Sequence, residues 1–206
     1  MTSSRSYAEF FLPEDEPAIA ARGRAGDLGC VPIGTGGGAA LKFLAAAVNA
    51  RAVVEIGTGA GVSGLHLLAG MAPDGILTSI DAESVHLRAA KTAFTEAGIA
   101  PGRTRLINGR ALEVLPRLTD GAYDLVFIDA DKPSFPEYVQ QAIRLLKTGG
   151  LLIINDALDK DRVSDPAIRE TSTVVLRQVG KLIREHDSLI SAMLPTGDGL
   201  LLAVKR

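Results

Sequence analysis

Apolar and polar positions follow two patterns that alternate along the 206-residue chain. Short apolar runs, typical of buried strands, are separated by stretches in which apolar residues recur at the spacing of a helix. We predict strands over residues 53–56, 76–81, 103–107, 123–128 and 151–154, and helices over residues 36–50, 62–71, 84–97, 137–146 and 165–185. Two further runs, 188–194 and 199–204, are separated by a Pro-Thr-Gly-Asp-Gly turn and predict a terminal hairpin.

This order of elements predicts an α/β fold. Strands that alternate with helices pair in parallel, and the helices then cover both faces of the sheet. Together with the hairpin, the pattern predicts a Rossmann-like, doubly wound, mostly parallel sheet of seven strands with a reversed C-terminal strand. We assign residues 33–206 to this single domain, and residues 1–32, which proline and glycine interrupt, to an N-terminal arm of short helices and turns.

A glycine-rich turn follows the first predicted strand. The strand VVEI leads into GTGAGVSG and then into an apolar helical pattern. Glycine lets the backbone adopt positive φ and lets a ligand approach the main chain. Residues 59–64 match the dinucleotide fingerprint G-x-G-x-x-G, but that motif needs its first glycine directly after the strand. Gly57 occupies this position, and Val62 then falls where the third glycine is required, so the register is poor for a dinucleotide.

Acidic residues stand at the ends of the first two strands. Glu55 lies near the end of the first, where a carboxylate would repel a pyrophosphate, and Asp81 ends the second. A carboxylate at the second position can accept hydrogen bonds from both hydroxyls of a ribose. The pair predicts a nucleoside site without phosphates. An NAD-dependent oxidoreductase that uses the turn at residues 59–64 is the alternative.

Composition and charge exclude several classes of function. The net charge of -2 comes from interspersed acids and bases, so no nucleic-acid-binding face is indicated. No apolar run approaches the ~20 residues that a membrane span needs. The single cysteine, Cys30, cannot form an internal disulfide, which fits a reducing compartment. We therefore expect a cytoplasmic protein that binds neither nucleic acid nor membrane.

Three further blocks of sequence point to a family. They are FIDADK (residues 127–132) followed by Tyr138, a Gly-Gly pair leading into a run that ends in Asn155 and Asp156, and LPTGDGL (residues 194–200). With the glycine turn, these blocks resemble class I S-adenosylmethionine-dependent methyltransferases. The resemblance is strongest to the cation-dependent O-methyltransferases of the catechol and caffeoyl-CoA type, particularly their small bacterial members, and runs from about residue 31 to the end.

The resemblance implies a cofactor site, a small hydroxylated acceptor and a homodimer. The residues that it assigns to S-adenosylmethionine are Ile33, Glu55, Gly57, Thr58, Gly59, Gly61, Ser63, Asp81, Ala111 and Asp129. His86 is given no role, because the sequence shows no acidic or cysteine partner for it at metal-binding spacing. A methyltransferase-like fold that binds ligand without catalysis remains a further alternative.

The same resemblance implies a catalytic centre with a divalent cation. Asp129, Asn155 and Asp156 offer oxygen ligands from two adjacent strand ends, a donor set suited to Mg²⁺. The order Asn155-Asp156 departs from the family pattern, Asp-Asn. Asp129 and Lys132 are the candidate catalytic residues, with Lys132 as the base that removes the acceptor proton. A neighbouring cation and partial burial are both expected to lower the pKa of Lys132.

Overall fold

The predicted strands form one seven-stranded sheet in the computed structural model, which describes residues 4–206. In chain order they are β1 (Ala52–Ile56), β2 (Ile76–Asp81), β3 (Thr104–Asn108), β4 (Tyr123–Ile128), β5 (Leu146–Ile154), β6 (Leu189–Leu194) and β7 (Leu200–Lys205). Their order across the sheet is β3-β2-β1-β4-β5-β7-β6. β1 to β5 pair in parallel, and β7 is antiparallel to both β5 and β6. The predicted doubly wound sheet with a reversed C-terminal strand is confirmed.

Helices cover both faces of this sheet. They are α1 (Ser4–Glu9), α2 (Glu16–Asp27), α3 (Thr35–Ala47), α4 (Val62–Gly70), α5 (Ser84–Glu96), α6 (Ala111–Val114), α7 (Phe135–Leu145) and α8 (Thr171–Glu185). Helices α2 to α5 contribute to the apolar cluster on one face, and α6 to α8 to the cluster on the other. Within residues 4–206, no helix combines the length and apolar character that crossing a membrane requires.

The middle strands are apolar because both of their faces are buried. In β4, Leu125 and Phe127 belong to the cluster with α2 to α5, whereas Val126 and Ile128 belong to the opposite cluster. All four side chains are fully buried. Successive side chains of a strand point to opposite faces, so a strand with helices on both sides needs a continuous apolar run rather than an alternating one.

The strand ends are aligned where the site lies. Pairing continues past the strands: Gly57 N–H donates to the Ile80 carbonyl (2.9 Å), Asp129 N–H to the Ile56 carbonyl (2.8 Å), and Asn155 N–H to the Ile128 carbonyl (3.0 Å). Sheet order reverses between β1 and β4, which creates a crevice at the carboxyl ends of these strands. Gly57, Asp129 and Asn155 are therefore held side by side at that edge.

The last long helix begins later than the sequence pattern predicts. We expected it from residue 165, but α8 begins at Thr171. Asp165 instead caps a turn by accepting the Ala167 N–H (2.9 Å). The Arg177 guanidinium donates to the carbonyls of Val163 (3.0 Å) and Ile168 (2.8 Å), and these side-chain bonds replace helical hydrogen bonds in this segment.

Candidate active site

A cavity of about 590 Å³ opens at the carboxyl edge of the sheet, a size typical of small-molecule sites. The glycine turn, the end of β2, the start of α6 and the segment before α3 form its walls. Of the site residues predicted from sequence, the cavity lining includes Ile33, Gly57, Thr58, Gly59, Ser63, Asp81, Ala111, Asp129 and Asp156. The structure therefore brings most of these residues together around one space. The lining does not include Glu55, Gly61, Lys132 or Asn155.

The glycine turn has the backbone conformation that only glycine adopts easily. Gly57, Gly59 and Gly61 have φ values of 95°, 49° and 91°. A Cβ at Gly57 would collide with the carbonyl oxygen of Asp129, and a Cβ at Gly61 would meet Ala90 at 2.9 Å. Gly57 thus lets β1 and β4 end side by side, while Gly61 lets α4 start close against α5.

Asp81 occupies the place where a dinucleotide-binding turn would hold phosphate. Its Oδ2 accepts the N–H groups of Thr58 (3.1 Å) and Gly59 (2.9 Å), and its Oδ1 accepts the N–H of Glu83 (2.8 Å). The turn's N–H groups are therefore engaged by a carboxylate, and the negative charge beside the cavity repels phosphate. This arrangement favours a ligand that donates hydroxyl hydrogens.

Glu55 does not lie on the cavity surface, contrary to the expectation that its carboxylate faces the ligand. It is fully buried and accepts hydrogen bonds from Ser63 Oγ (2.6 Å) and Ser79 Oγ (2.5 Å). Burial raises the pKa of Glu55 to about 7, although both hydroxyls lower it. Because side chains alternate along β1, Glu55 points beneath α4. Through its hydrogen bond, Glu55 holds the side chain of Ser63, and Ser63 lines the cavity.

Asp129 directly follows β4 and lines the cavity. Burial and the nearby charge of Asp156 raise the pKa of the Asp129 carboxyl to about 7, while the Asn155 amide and the Lys132 charge oppose this rise. Asn155 is 5% exposed and donates to Asp156 Oδ1 at 3.4 Å. Asp156 has a left-handed backbone, with φ of 55°. Two carboxylates and one amide are thus grouped at the ends of β4 and β5.

Chemically, this group can hold a hard cation. Mg²⁺ binds one or two carboxylates and completes its octahedron with water or substrate oxygens. Across residues 4–206, no cluster of three or more His, Cys, Asp and Glu side chains suits a metal. Any cation here would therefore depend on the Asn155 amide and on solvent beside Asp129 and Asp156.

Lys132 is paired with acids rather than facing the cavity alone. Its Nζ lies 3.1 Å from Asp159 Oδ1 and 3.5 Å from Asp156 Oδ2. Burial lowers the pKa of Lys132, but the charges of Asp156 and Asp159 outweigh it and raise the pKa above its ordinary value. Burial thus acts in the expected direction, but the two carboxylates outweigh it and favour the ammonium form. The effect of a neighbouring cation stays a prediction.

Sequence reasoning missed Asp159, the acid that anchors Lys132. Its side chain is fully buried and accepts hydrogen bonds from Thr173 Oγ1 (2.6 Å), Arg162 Nη2 (2.8 Å) and Ser172 Oγ (3.1 Å). These donors lower its pKa despite the opposing effect of burial. No local pattern distinguishes Asp159 from other loop acids, because its partners are brought to it by α8.

His86 also has partners that the sequence did not indicate. Its Nδ1 lies 3.1 Å from Asp81 Oδ1, and its Nε2 lies 3.1 Å from Cys30 Sγ. The sequence spacing gave His86 no metal-binding partner, but the fold brings it two hydrogen-bonding partners, Asp81 and Cys30. Cys30 and His86 both line the cavity.

The far end of the cavity combines an apolar wall with a polar pair. Ala111 and Leu112 supply the apolar wall. Among the polar lining residues, Tyr138 Oη donates to Asp131 Oδ1 at 2.6 Å, and burial together with Asp131 raises the pKa of Tyr138 to about 12. This end suits a flat ring with polar edges.

Comparison with known proteins identifies similar chains over almost the whole length. A family profile described as O-methyltransferase matches residues 23–206. A putative O-methyltransferase of Mycobacterium ulcerans is 50% identical over 200 residues, which cover 97% of this chain and 89% of the relative. A crystal structure from Corynebacterium glutamicum matches with a TM-score of 0.90 and 34% identity, covering 98% of this chain and 94% of the other. The O-methyltransferase TomG of Streptomyces achromogenes, involved in tomaymycin synthesis and solved with SAM, matches with a TM-score of 0.87 and 27% identity over 97% of this chain and 93% of its own.

Proposed function

This chain belongs to the O-methyltransferase family, and we propose that it transfers a methyl group from S-adenosylmethionine to a hydroxyl of a small catechol-like or other hydroxylated acceptor. The observation that carries the proposal is the Asp81 carboxylate, bound by the N–H groups of Thr58 and Gly59 beside the cavity. It leaves a nucleoside site that repels phosphate. TomG, a structural relative of this chain, was solved with the same cofactor.

The residues around the cavity fit S-adenosylmethionine. Asp81 would accept the ribose hydroxyls, and Ala111 would pack against the adenine. The N-terminus of α4, with Ser63, and the segment at Ile33 would hold the methionine end. A substituent at Gly57 would disturb the turn that makes room for the ligand.

Methyl transfer mainly requires that the protein align the methyl donor with the acceptor oxygen. The cofactor supplies an electrophilic methyl group on a sulfonium; the acceptor oxygen forms the new C–O bond, the C–S bond breaks, and the hydroxyl proton is released to solvent. Holding donor and acceptor in line removes much of the entropic barrier. The cavity is large enough for both, with the cofactor at the glycine turn and the acceptor towards Asp129 and Asp156.

We further propose that Asp129, Asn155 and Asp156 hold a divalent cation, with Mg²⁺ as the best match for their oxygen donors. Burial and the charge of Asp156 both disfavour an ionised Asp129, and a cation between the two carboxylates would relieve their repulsion. When bound, the cation would stabilise an acceptor oxyanion. Of the exchanged pair, Asp156 rather than Asn155 is a lining residue of the cavity, which supports its assignment as a ligand.

Lys132 takes a modified role in this proposal. Its contact with Asp159, which lies outside the proposed cation site, favours the ammonium form, and this form cannot accept a proton. A fixed ammonium near the acceptor stabilises the negative charge that develops on the hydroxyl oxygen. We therefore assign Lys132 to electrostatic stabilisation instead of the base role predicted from sequence.

The test is methyl transfer to a panel of small aromatic diols, with S-adenosylmethionine, with and without Mg²⁺ and chelator. We expect turnover that depends on the cation, and calorimetric binding of S-adenosylhomocysteine but not of NAD. Asp81→Ala should abolish binding, whereas Asp74→Ala, at an exposed ion pair with Arg51, should not. Cofactor binding without turnover on any diol would support the non-catalytic alternative. Binding of NAD would overturn the cofactor assignment.

The proposed homodimer rests on the family resemblance and on exposed apolar residues of the arm. Tyr7, Phe10 and Phe11 are 67%, 70% and 63% exposed, and the rings of Tyr7 and Phe11 are 6.0 Å apart. Such side chains are costly in water unless a partner covers them. Sedimentation of the full chain and of Phe10→Ser would test this. The cytoplasmic location stays a prediction.

A further inference from the structure

Three side chains form a hydrogen-bonded series at the nucleoside end of the cavity. His86, on α5, contacts the Asp81 carboxylate through Nδ1, at 3.1 Å from Oδ1 and 3.2 Å from Oδ2. On its other side, Nε2 lies 3.1 Å from Cys30 Sγ. Cys30 belongs to the segment between α2 and α3, and residues 30–33 of this segment form part of the cavity wall. His86 therefore connects the second strand end to that wall.

The partners of His86 define its tautomer. Asp81 accepts backbone N–H groups on both oxygens, so we place the ring hydrogen of His86 on Nδ1, where it is donated to that carboxylate. With this tautomer Nε2 is an acceptor and takes the S–H of Cys30. The ring is thus oriented from both sides.

Asp81 has fewer backbone donors on one oxygen than on the other. Oδ2 receives the N–H groups of Thr58 and Gly59, while Oδ1 receives that of Glu83. The backbone donors fix the position of the Asp81 carboxylate. The hydrogen bond with His86 adds a side-chain donor that sets the rotation of the carboxylate plane. A ribose needs this orientation because both of its hydroxyls must reach the same carboxylate.

We propose that His86 is a positioning residue for the cofactor: it orients Asp81 towards the ribose hydroxyls and, through Cys30, holds residues 30–33 against the bound nucleoside. The inference rests on the proposed function, since it requires a nucleoside at Asp81. It adds a residue pair, His86 and Cys30, that the sequence motifs did not assign. His86 acts through Asp81 and takes no part in the transfer itself.

Binding of S-adenosylhomocysteine, measured by calorimetry, tests the role of His86. His86→Leu removes the donor and should weaken binding about tenfold or more, the loss typical of a hydrogen bond to a charged group. His86→Asn keeps an amide donor near the Nδ1 position and should recover most of the affinity. His186→Asn, at a histidine that bonds Ser188 outside the cavity, is the matched control.

The outcomes separate this inference from the proposed function. If the wild-type protein does not bind S-adenosylhomocysteine, the proposed function fails. If the wild-type protein binds and His86→Leu binds equally well, the positioning role is refuted while the proposed function stands. Equal weakening by His86→Leu and His86→Asn would also refute it, because a packing role does not depend on the Nδ1 donor.

Cys30 gives an independent readout, because it is the single cysteine of the chain. Saturating S-adenosylhomocysteine should slow its alkylation by N-ethylmaleimide about tenfold or more, since the bound nucleoside would hold residues 30–33 closed. NAD should give no protection. Cys30→Ser keeps a donor to Nε2 and should retain affinity, whereas Cys30→Ala should lose several-fold. An alkylation rate that saturating S-adenosylhomocysteine leaves unchanged would overturn the part assigned to Cys30.

Discussion

Replacing Glu55 by glutamine should stabilise the protein at alkaline pH and leave its stability almost unchanged in acid. Glu55 is fully buried and has a pKa raised from 4.5 to about 7, chiefly by burial. Its protonated form is therefore favoured in the folded protein. Stability from this group is fully present below pH 4.5 and is lost as the pH rises through about 7.

The size of the effect follows from this pKa. At about 1.4 kcal/mol for each pKa unit, ionising a buried carboxyl whose pKa rises from 4.5 to about 7 on folding costs ~3 kcal/mol. Glutamine has the same shape and no charge. Its amide can accept from one of Ser63 and Ser79 and donate to the other, so both hydroxyl contacts survive. The gain should therefore approach ~3 kcal/mol above pH 7 and vanish near pH 4.

Urea unfolding of the wild-type protein and of Glu55→Gln between pH 4 and pH 9 measures this difference directly. The control is Glu185→Gln, which makes the same substitution at an exposed side chain beside Arg184. A Glu55→Gln effect that is independent of pH would refute the argument. So would a variant that is less stable than wild type at pH 8, since it would mean that the serine hydroxyls hold the ionised carboxylate.

Three further predictions concern the cavity. Gly57→Ala should lose at least about 2 kcal/mol of unfolding free energy by thermal or urea denaturation, because φ is 95° and the new Cβ meets the Asp129 carbonyl. The control is Gly102→Ala, which has open space around its Cβ. Equal stability of the two variants would contradict the clash. Asp159→Asn should lower kcat about tenfold and leave the affinity for S-adenosylhomocysteine unchanged, because it weakens the ion pair that holds Lys132 and does not alter the nucleoside end of the cavity. A loss of affinity without a loss of kcat would argue against the role of Lys132. Chelator should reduce turnover but not S-adenosylhomocysteine binding, and turnover that chelator does not change would remove the cation from the proposal.

Local sequence patterns predicted most of the fold. The continuous apolar run at Leu125–Ile128 required burial on both faces, and the glycines at 57, 59 and 61 required a turn with positive φ. Asp81 could be placed at a strand end because the apolar run stops there. These features depend on neighbouring residues along the chain, so the sequence alone was sufficient to predict them.

The contacts that tune the site were decided only by the tertiary structure. His86 and Cys30 are 56 residues apart in the sequence, and Lys132 and Asp159 are 27 residues apart. No local sequence spacing therefore predicts either pair. Glu55 was recognised as a strand-end acid, but its burial against Ser79 depends on how β1 and β2 pair. Hydrophobic periodicity determines which segments are buried, whereas the partners of a polar side chain depend on which distant segments the packed core brings beside it.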